Sequence, residues 1–273
     1  MANLQLSNVN IKYDTAGSGT PIVMIHGSAV DGGTWDNVVP ALSANHRVIT
    51  YDRRGYGQST HKPVRDHRLH AADLIALLEQ VAKEPAHVVG WSSGGNVAMA
   101  VAAERPDLVK SLFIIEAPFH GLRNMNWDVL RTLLRLKYQQ LRGHPEAALI
   151  EFLRFGTGLT GGGNSYDNLP KEEQETFHKY WAPVLAEWDP HFFGVMHEHI
   201  SMRAIASIKL PFTWALGAKG SPWIARLHDN VKRKAPHIKT VLIPDAGHLA
   251  HIDAPDAFIE AVQQHCQSTQ NAP

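Results

Sequence analysis

The sequence of 273 residues has little of several features that mark particular classes of protein. Its one cysteine, Cys266, cannot form an internal disulfide, which is typical of proteins in a reducing compartment. No apolar run approaches the roughly 20 residues that cross a bilayer. The first residues also lack the basic and apolar regions of a signal peptide. We therefore expect a cytoplasmic protein that has no membrane partner.

The chain also has no excess of charge of either sign. Lys and Arg together number 26, as do Asp and Glu, so the formal net charge is zero and nothing favours nucleic acid. With 44% hydrophobic and 19% charged residues, the chain can bury a sizeable core. Its length suits one large α/β unit that carries an insertion. The expected partner is a small-molecule substrate, and the sequence leaves a homodimer open.

Short apolar runs alternate with helical patterns over most of the chain. Two edge strands are predicted within 4–13, and buried strands are predicted at 21–25, 47–51, 86–89, 112–115, 212–216 and 240–243. Helices are predicted at 66–82, from 96 onwards, at 222–234 and at 255–267. Repeated strand–helix units imply an α/β fold with a mostly parallel sheet that helices cover on both faces.

Residues 120–207 break this alternation. They contain no buried-strand run, and helices are predicted at about 126–142, 145–155, 170–181 and 194–206. We therefore expect a core formed by 1–119 and 208–273, with 120–207 as a helical cap. At least half of the large aromatic residues in this segment are expected to serve packing. The candidates for lining a substrate pocket are Trp181, Trp188 and Phe192.

The stretch from Gly90 to Gly95 lies between an apolar run that predicts a strand and an alanine-rich run that predicts a helix. A small-x-Ser-x-small turn in this context exposes a serine hydroxyl and points backbone N–H groups at the same place. Gly90 and Gly94 are needed because side chains there would collide where the strand and the helix nearly touch. Ser92 is thus the candidate nucleophile, and it needs an adjacent base.

Four motifs occur in the order seen in one superfamily. His26-Gly27 ends an early strand, Asp52-x-Arg54-Gly55-x-Gly57-x-Ser59 ends the next, and the serine turn and Gly247-His248 follow. With these motifs the chain resembles the α/β-hydrolase superfamily. The resemblance implies an eight-stranded sheet with a helical cap.

The resemblance also implies roles for particular residues. His248 would be the base that takes the Ser92 proton, with His251 as its weaker rival. The oxyanion donors would be the N–H of Ser93 and one N–H from Gly27 or Ser28.

The acid departs from the common pattern of these hydrolases. Most relatives place an Asp after the strand predicted at 212–216, but residues 217–222 contain no carboxylate. Some members take the acid from the end of the strand that follows the nucleophile strand, which here is Glu116. Neighbouring strands lie about 4.8 Å apart, so a Glu side chain can reach the histidine. Two alternatives stay open: Glu116 pairs with an Arg of the cap, or Asp245 is the acid.

The leading prediction is a serine hydrolase that cleaves an ester or lactone of a small to medium hydrophobic substrate. Glu116 at this position and the segments 179–184 and 187–188 are similar to fungal zearalenone lactonases. Other readings within the fold are a carbon–carbon bond hydrolase, a perhydrolase, a cofactor-free dioxygenase and a ligand receptor with vestigial hydrolysis.

No cofactor or metal is expected. The segment His197-Glu198-His199, with His191 nearby, lacks the spacing of a helical metal site.

Overall fold

The computed structural model describes residues 2–64, 66–118, 127–188 and 200–269. At its centre is an eight-stranded sheet with the order β1-β2-β4-β3-β5-β6-β7-β8. The strands are β1 Ala2–Gln5, β2 Asn10–Ala16, β3 Pro21–Ile25, β4 Arg47–Tyr51, β5 Ala86–Trp91, β6 Val109–Ile115, β7 Phe212–Gly217 and β8 Lys239–Ile243. β2 pairs antiparallel with β1 and β4, and all other pairs are parallel. The predicted α/β-hydrolase fold with a mostly parallel sheet is confirmed.

Helices cover both faces of the sheet. The strands β3, β5 and β7 are buried at every residue, because successive side chains point to opposite faces and each face has its own apolar core. In β5, Val88 packs into one core and Val89 into the other. The helices of the sheet region are α1 Val39–Leu42, α2 His67–Leu77, α3 Ser93–Glu104, α10 Pro222–Lys234, α11 Ala250–Asp253 and α12 Pro255–Ser268.

Among the described residues, six further helices lie between β6 and β7 in the chain. They are α4 Trp127–Leu141, α5 Pro145–Gly156, α6 Ser165–Asn168, α7 Lys171–His178, α8 Trp181–Trp188 and α9 Met202–Ser207. We call the described residues 127–188 and 200–207 the insertion. The helix predicted at 170–181 ends at His178, and a new helix begins at Trp181. Part of the helix predicted at 194–206 lies outside the described residues, and its described part begins only at Met202.

The insertion touches the sheet region through polar contacts as well as apolar ones. Tyr180 hydrogen-bonds Asp31, the Thr160 N–H donates to the Lys219 carbonyl (2.9 Å), and the Ser165 hydroxyl donates to Asp253 (3.1 Å). The two residues between α7 and α8 thus include one that is fixed to the loop after β3. Pro183 explains why one long helix does not form, because it has no N–H for the Lys179 carbonyl and its ring would clash with that carbonyl.

In the described part of the chain, no helix is both long enough and apolar enough to pass through a membrane. The parallel strands instead bring their carboxyl ends to one edge of the sheet. In open α/β sheets, ligands bind at this edge. Ser92 follows β5 and Glu116 follows β6, which is its neighbour in the sheet.

Candidate active site

Ser92 lies in a sharp turn between β5 and α3. Its backbone has φ 53° and ψ −126°, a region that residues other than glycine rarely adopt. Its N–H donates to the Ile115 carbonyl of β6 (2.9 Å), which holds the turn against the next strand. A Cβ on Gly94 would come within 2.4 Å of the His26 carbonyl oxygen, so a glycine is required there. The local sequence therefore fixes the strained turn predicted for Ser92.

Glu116 joins three elements at the carboxyl edge of the sheet. Its carboxylate is 1% exposed, accepts the Gly217 N–H through Oε1 (2.8 Å) and contacts His248 Nδ1 through Oε2 (2.8 Å). Because a carboxylate only accepts, Nδ1 carries the proton and Nε2 keeps the lone pair of the neutral ring. The predicted Glu116 and His248 are thus in contact, although 132 residues separate them.

The loop of His248 is fixed from two sides. The Gly247 N–H donates to the Asp253 carboxylate (2.8 Å), and the Trp91 indole N–H donates to the His248 carbonyl (2.8 Å). The rings of Trp91 and His248 lie 5.5 Å apart. Since Trp91 precedes Ser92, these contacts hold the histidine beside the serine turn.

The loop after β3 approaches the same turn. A Cβ added at Gly27 would lie 3.0 Å from the Ser92 Cβ and from the Trp91 ring, so the chain passes directly over the serine. Ser93 is the first residue of α3, where backbone N–H groups have no partner within the helix. The structure therefore brings Gly27, Ser28 and Ser93 together around Ser92.

Behind this loop lies a buried ion pair that connects the insertion to the core. Glu187 of α8 is 2.9 Å from Arg53 Nη1, and both side chains are at most 1% exposed. Arg53 Nη2 also donates to the Gly27 carbonyl (2.9 Å) and to the Ser93 hydroxyl (3.1 Å). A carboxylate of the insertion is thus held directly behind the loop of Gly27 and Ser28, which we call the candidate oxyanion loop.

Two serine hydroxyls close this arrangement into a ring. The Ser28 hydroxyl lies 2.7 Å from Glu187 Oε2 and 2.9 Å from the Ser93 hydroxyl. Because the carboxylate only accepts, Ser28 donates its single proton to Glu187 and accepts one from Ser93. The hydrogen bonds then run from Arg53 to Ser93, to Ser28 and to Glu187, which pairs with Arg53 again. We call Ser28, Arg53, Ser93 and Glu187 the polar ring.

Burial and charge set the ionisation around the ring. Burial alone would raise the pKa of Glu187, but the Arg53 guanidinium holds it well below its usual range. His70 Nε2 lies 3.5 Å from Glu187, and burial lowers the pKa of this histidine to about 4. Burial, and to a lesser extent the positive charge of Arg53, lowers the pKa of His26 to about 3. The neutral His26 Nε2 accepts the backbone N–H of Arg53 (2.9 Å). Arg53 and Glu187 therefore carry the charge of this region.

The rival residues lie in other surroundings. Asp245 has an 81% exposed side chain and pairs with Lys219 (2.8 Å). His251 is buried against Trp35 and Trp91, and its Nε2 contacts the Thr34 hydroxyl (2.8 Å). Among the described residues, Asp245 makes no hydrogen bond to His248, and His251 makes none to a carboxylate at the end of a strand.

The Asp52–Ser59 motif forms turns through its hydrogen bonds. The Asp52 carboxylate accepts the N–H groups of Gly32 (2.8 Å) and Gln58 (2.7 Å), and Arg54 pairs with Asp73 in the core. This motif therefore shapes the loops behind the site.

The candidate pocket aromatics are only partly described. Trp181 begins α8 with 38% of its surface exposed. Trp188 ends α8, but its side chain, like the whole of Phe192, lies outside the described residues. The same holds for His191 and for the segment 197–199.

Sequence reasoning missed three residues of this region: Arg53, Glu187 and Asp253. Arg53 occupies a variable position of its motif, and its partner Glu187 is 134 residues away. The available signal was the position of Glu187 among the apolar residues of 181–188, where a carboxylate needs a partner.

With this geometry, comparisons with known proteins identify the family. A model of the alpha/beta hydrolase family matches residues 22–261. The chain belongs to the α/β-hydrolase family.

Curated and solved α/β hydrolases match over nearly the whole chain. A pimeloyl-[acyl-carrier protein] methyl ester esterase from Chromobacterium violaceum is 27% identical over 264 residues, which cover 95% of this chain and 99% of that one. A thermophilic esterase from Thermogutta terrifontis superposes with a TM-score of 0.78 at 20% identity and covers 98% of this chain and 99% of its own. Est816, an N-acyl homoserine lactone degrading enzyme, has a TM-score of 0.78 at 21% identity, with 96% and 99% covered. The solved structures establish the fold, and the curated relative is an ester hydrolase.

Proposed function

We propose that this α/β hydrolase cleaves carboxylic esters or lactones of small to medium hydrophobic substrates, with Ser92, His248 and Glu116 as its catalytic triad. The observation that carries the proposal is the 2.8 Å contact between His248 Nδ1 and Glu116 Oε2 beside the strained turn of Ser92. This contact leaves Nε2 as the basic nitrogen of the ring. The turn presents the serine at the carboxyl edge of the sheet.

The reaction follows from these positions. His248 Nε2 takes the proton of the Ser92 hydroxyl as its oxygen attacks the substrate carbonyl. Glu116 holds the Nδ1–H and stabilises the imidazolium that forms. The imidazolium then protonates the departing alkoxide, which leaves an acyl group on Ser92. His248 next removes a proton from water as the water oxygen attacks the acyl carbon. The imidazolium then returns that proton to the Ser92 oxygen as its bond to the acyl carbon breaks, which releases the acid and regenerates Ser92.

The oxyanion of both tetrahedral intermediates requires backbone donors. The N–H of Ser93 and one N–H from Gly27 or Ser28 are proposed for this task, because their loop lies over Ser92. The polar ring supports the same backbone from behind through the Arg53 contacts to Gly27 and Ser93. The insertion would then act as the cap of the site, since Glu187 closes that ring.

The ester and lactone classes are supported by different observations. The curated Chromobacterium relative is a methyl ester esterase, whereas Est816 degrades a lactone. Glu116 at the strand end is the feature shared with zearalenone-type lactonases. A lactone opens without losing a fragment, so the leaving alkoxide remains tethered in the pocket.

Turnover of a panel of aryl esters, methyl esters and aromatic lactones tests the proposal. The wild-type protein should turn over at least one class many times per site, and Ser92→Ala should reduce that rate by several orders of magnitude. A protein that binds one of these compounds but releases at most one product per site would be a receptor. Equal rates for wild type and Ser92→Ala would refute the hydrolase proposal.

A further inference from the structure

A second cluster of reactive side chains lies at the opposite edge of the sheet from Ser92. His46 precedes β4, His87 is the second residue of β5, and Cys266 lies in the last turn of α12. His46 is 6% exposed, and the other two are fully buried. One ligand atom from each residue lies within 4.8 Å of the others.

Each of the two histidines has one ring nitrogen whose hydrogen-bonding capacity is unsatisfied. His46 Nδ1 and His87 Nε2 are both buried, and neither has a hydrogen-bond partner among the described residues. Buried polar atoms are nearly always paired, so two such atoms beside one thiol need an explanation. Their lone pairs and the Cys266 sulfur together form a donor set of two imidazoles and one thiolate.

The position of the cluster follows from strand alternation. His87 shares its face of the sheet with Val89 and Trp91, and Cys266 packs in the same core as those residues. The His46 and His87 rings meet edge to face at 6.0 Å. Three segments distant in sequence are thus brought together by the fold, which explains why no motif in the sequence indicates the cluster.

A chain of hydrogen bonds orients the His87 ring. Its Nδ1 lies 2.6 Å from the Ser111 hydroxyl, which is 2.8 Å from His265 Nε2, and His265 Nδ1 is 2.8 Å from the Thr213 hydroxyl. If His87 Nδ1 donates, Ser111 donates to His265 and His265 donates to Thr213, so each bond has one donor and one acceptor. This direction leaves the lone pair of His87 on Nε2, the nitrogen that has no hydrogen-bond partner among the described residues. Ligating histidines commonly have such an outer partner.

From this arrangement we propose that His46, His87 and Cys266 form a zinc site with three protein ligands. Zinc is preferred because imidazole and thiolate are its usual protein ligands and a tetrahedral ion accepts three of them with a water molecule in the fourth position. Bonds of about 2.0–2.3 Å place tetrahedral ligand atoms roughly 3.3–3.8 Å apart. The cluster would contract by about 1 Å on binding. The thiol proton leaves to solvent as the Zn–S bond forms.

The site is distinct from the proposed catalytic machinery. His87 and Ser92 are five residues apart along β5 and its following turn, which corresponds to about 16 Å at 3.3 Å per residue. The ion would connect the loop before β4, the strand β5 and the carboxyl end of α12. Its effect is therefore expected on stability, with turnover unchanged.

Cobalt substitution and zinc binding test the proposal on the full chain. Protein stripped with a chelator and titrated with Co²⁺ should develop a thiolate-to-metal charge-transfer band and the strong visible bands of a tetrahedral site. Saturation is expected at one ion per chain, with Zn²⁺ displacing the cobalt. Since this spectrum uses the wild-type protein, it does not depend on any variant folding. A wild-type spectrum without a thiolate band overturns the proposal.

Variants locate the ion. Cys266→Ser should lose the thiolate band and bind Zn²⁺ at least about 100-fold more weakly, and Ser111→Ala should weaken binding by about 10- to 100-fold. Zn²⁺ should raise the melting temperature of the wild type but not of Cys266→Ser. His144→Asn, at an exposed histidine, is the matched control and should bind like the wild type. Tight binding retained in Cys266→Ser would place the ion on other histidines and overturn the proposal.

Discussion

At the scale of single residues, Glu116 is the most informative position. It is a non-glycine residue with a positive φ of 45°, and its two carboxylate oxygens contact the Gly217 N–H and His248 Nδ1. A backbone held in this sparsely populated region indicates that the surrounding contacts determine it. The position of the carboxylate is therefore set by β6 and β7 together.

Glu116→Gln should reduce kcat for an aryl ester by about three to four orders of magnitude. The amide matches the carboxylate in size, but it removes the negative charge that stabilises the imidazolium and allows the wrong His248 tautomer. Steady-state kinetics on protein with an unchanged melting temperature measure this effect.

Asp245→Asn is the matched control for that substitution. Asp245 is exposed and pairs with Lys219, so its loss should change kcat less than about threefold. If Asp245→Asn lowers kcat strongly while Glu116→Gln does not, the acid has been assigned to the wrong residue.

A residue of the candidate site could be predicted from the sequence when it lies near the end of a predicted strand. Ser92, Glu116 and His248 each lie within five residues of the end of a predicted strand, and parallel strands end at one edge, so their proximity could be inferred. Their catalytic roles stay predictions. Arg53 and Glu187 could not be paired in advance, because the contact depends on how α8 docks, and no periodicity specifies docking.

At the scale of elements, the Arg53–Glu187 pair determines how α8 meets the core. Both charges are buried, so removing one leaves the other without compensation. Burial of the pair is tolerable because Ser28, Ser93 and the Gly27 carbonyl provide further hydrogen bonds. The docking of α8 and the shape of the oxyanion loop are thus coupled.

Glu187→Gln should lower the free energy of unfolding by about 3–5 kcal/mol, because it leaves the Arg53 charge buried and unpaired. Its kcat should also fall, but by less than the roughly 100-fold loss that follows removal of an oxyanion donor. Urea unfolding and ester turnover measure the two effects. Glu173→Gln on the exposed surface of α7 is the control and should change neither.

A double variant separates the charge from the packing. Replacing both partners, as in Arg53→Met with Glu187→Leu, should recover much of the stability lost by Glu187→Gln, because no charge remains buried. If the double variant is less stable than Glu187→Gln, the pair contributes through its hydrogen bonds more than through charge balance.

The elements themselves were predicted unequally. The helices at 222–234 and 255–267 match α10 and α12 closely, since proline begins each of them and apolar periodicity continues through them. The helix predicted at 170–181 is two helices, because Pro183 prevents a helical hydrogen bond to the Lys179 carbonyl, which the apolar pattern does not register.

At the scale of the whole molecule, buried neutral histidines set the response to acid. Burial is the main cause that lowers the pKa of these rings from 6.5, to about 3 for His26, His67, His87 and His251 and to about 4 for His70 and His265. Below pH 6.5 the unfolded chain therefore binds more protons than the folded one. Their stabilising effect is complete above pH 6.5 and is lost as the pH falls towards 4.

The free energy of unfolding should fall steeply between pH 6.5 and pH 5, by about 1.4 kcal/mol per pH unit for each buried histidine. Urea unfolding at several pH values measures this slope. His251→Gln should reduce the slope by the contribution of about one proton taken up on unfolding. His144→Gln, at an exposed histidine, should leave the slope unchanged. A free energy that is constant over this range would show that these rings ionise freely in the folded state.

The fold as a whole was predictable because motif order and strand–helix alternation reinforce each other on both sides of the insertion. Eight strands, their mostly parallel pairing and a candidate site at the carboxyl edge follow from that pattern. The contacts of the insertion with this site do not, since Glu187 is 159 positions from Ser28 and 134 from Arg53.

Labelling with a fluorophosphonate tests the central claim most directly, because the reagent reacts with a serine that a neighbouring base activates. Intact mass and peptide mapping of the wild-type protein should show one adduct, on Ser92. Labelling should be slow in Glu116→Gln and absent in Ser92→Ala. A wild-type protein that is not labelled at Ser92 would contradict the account.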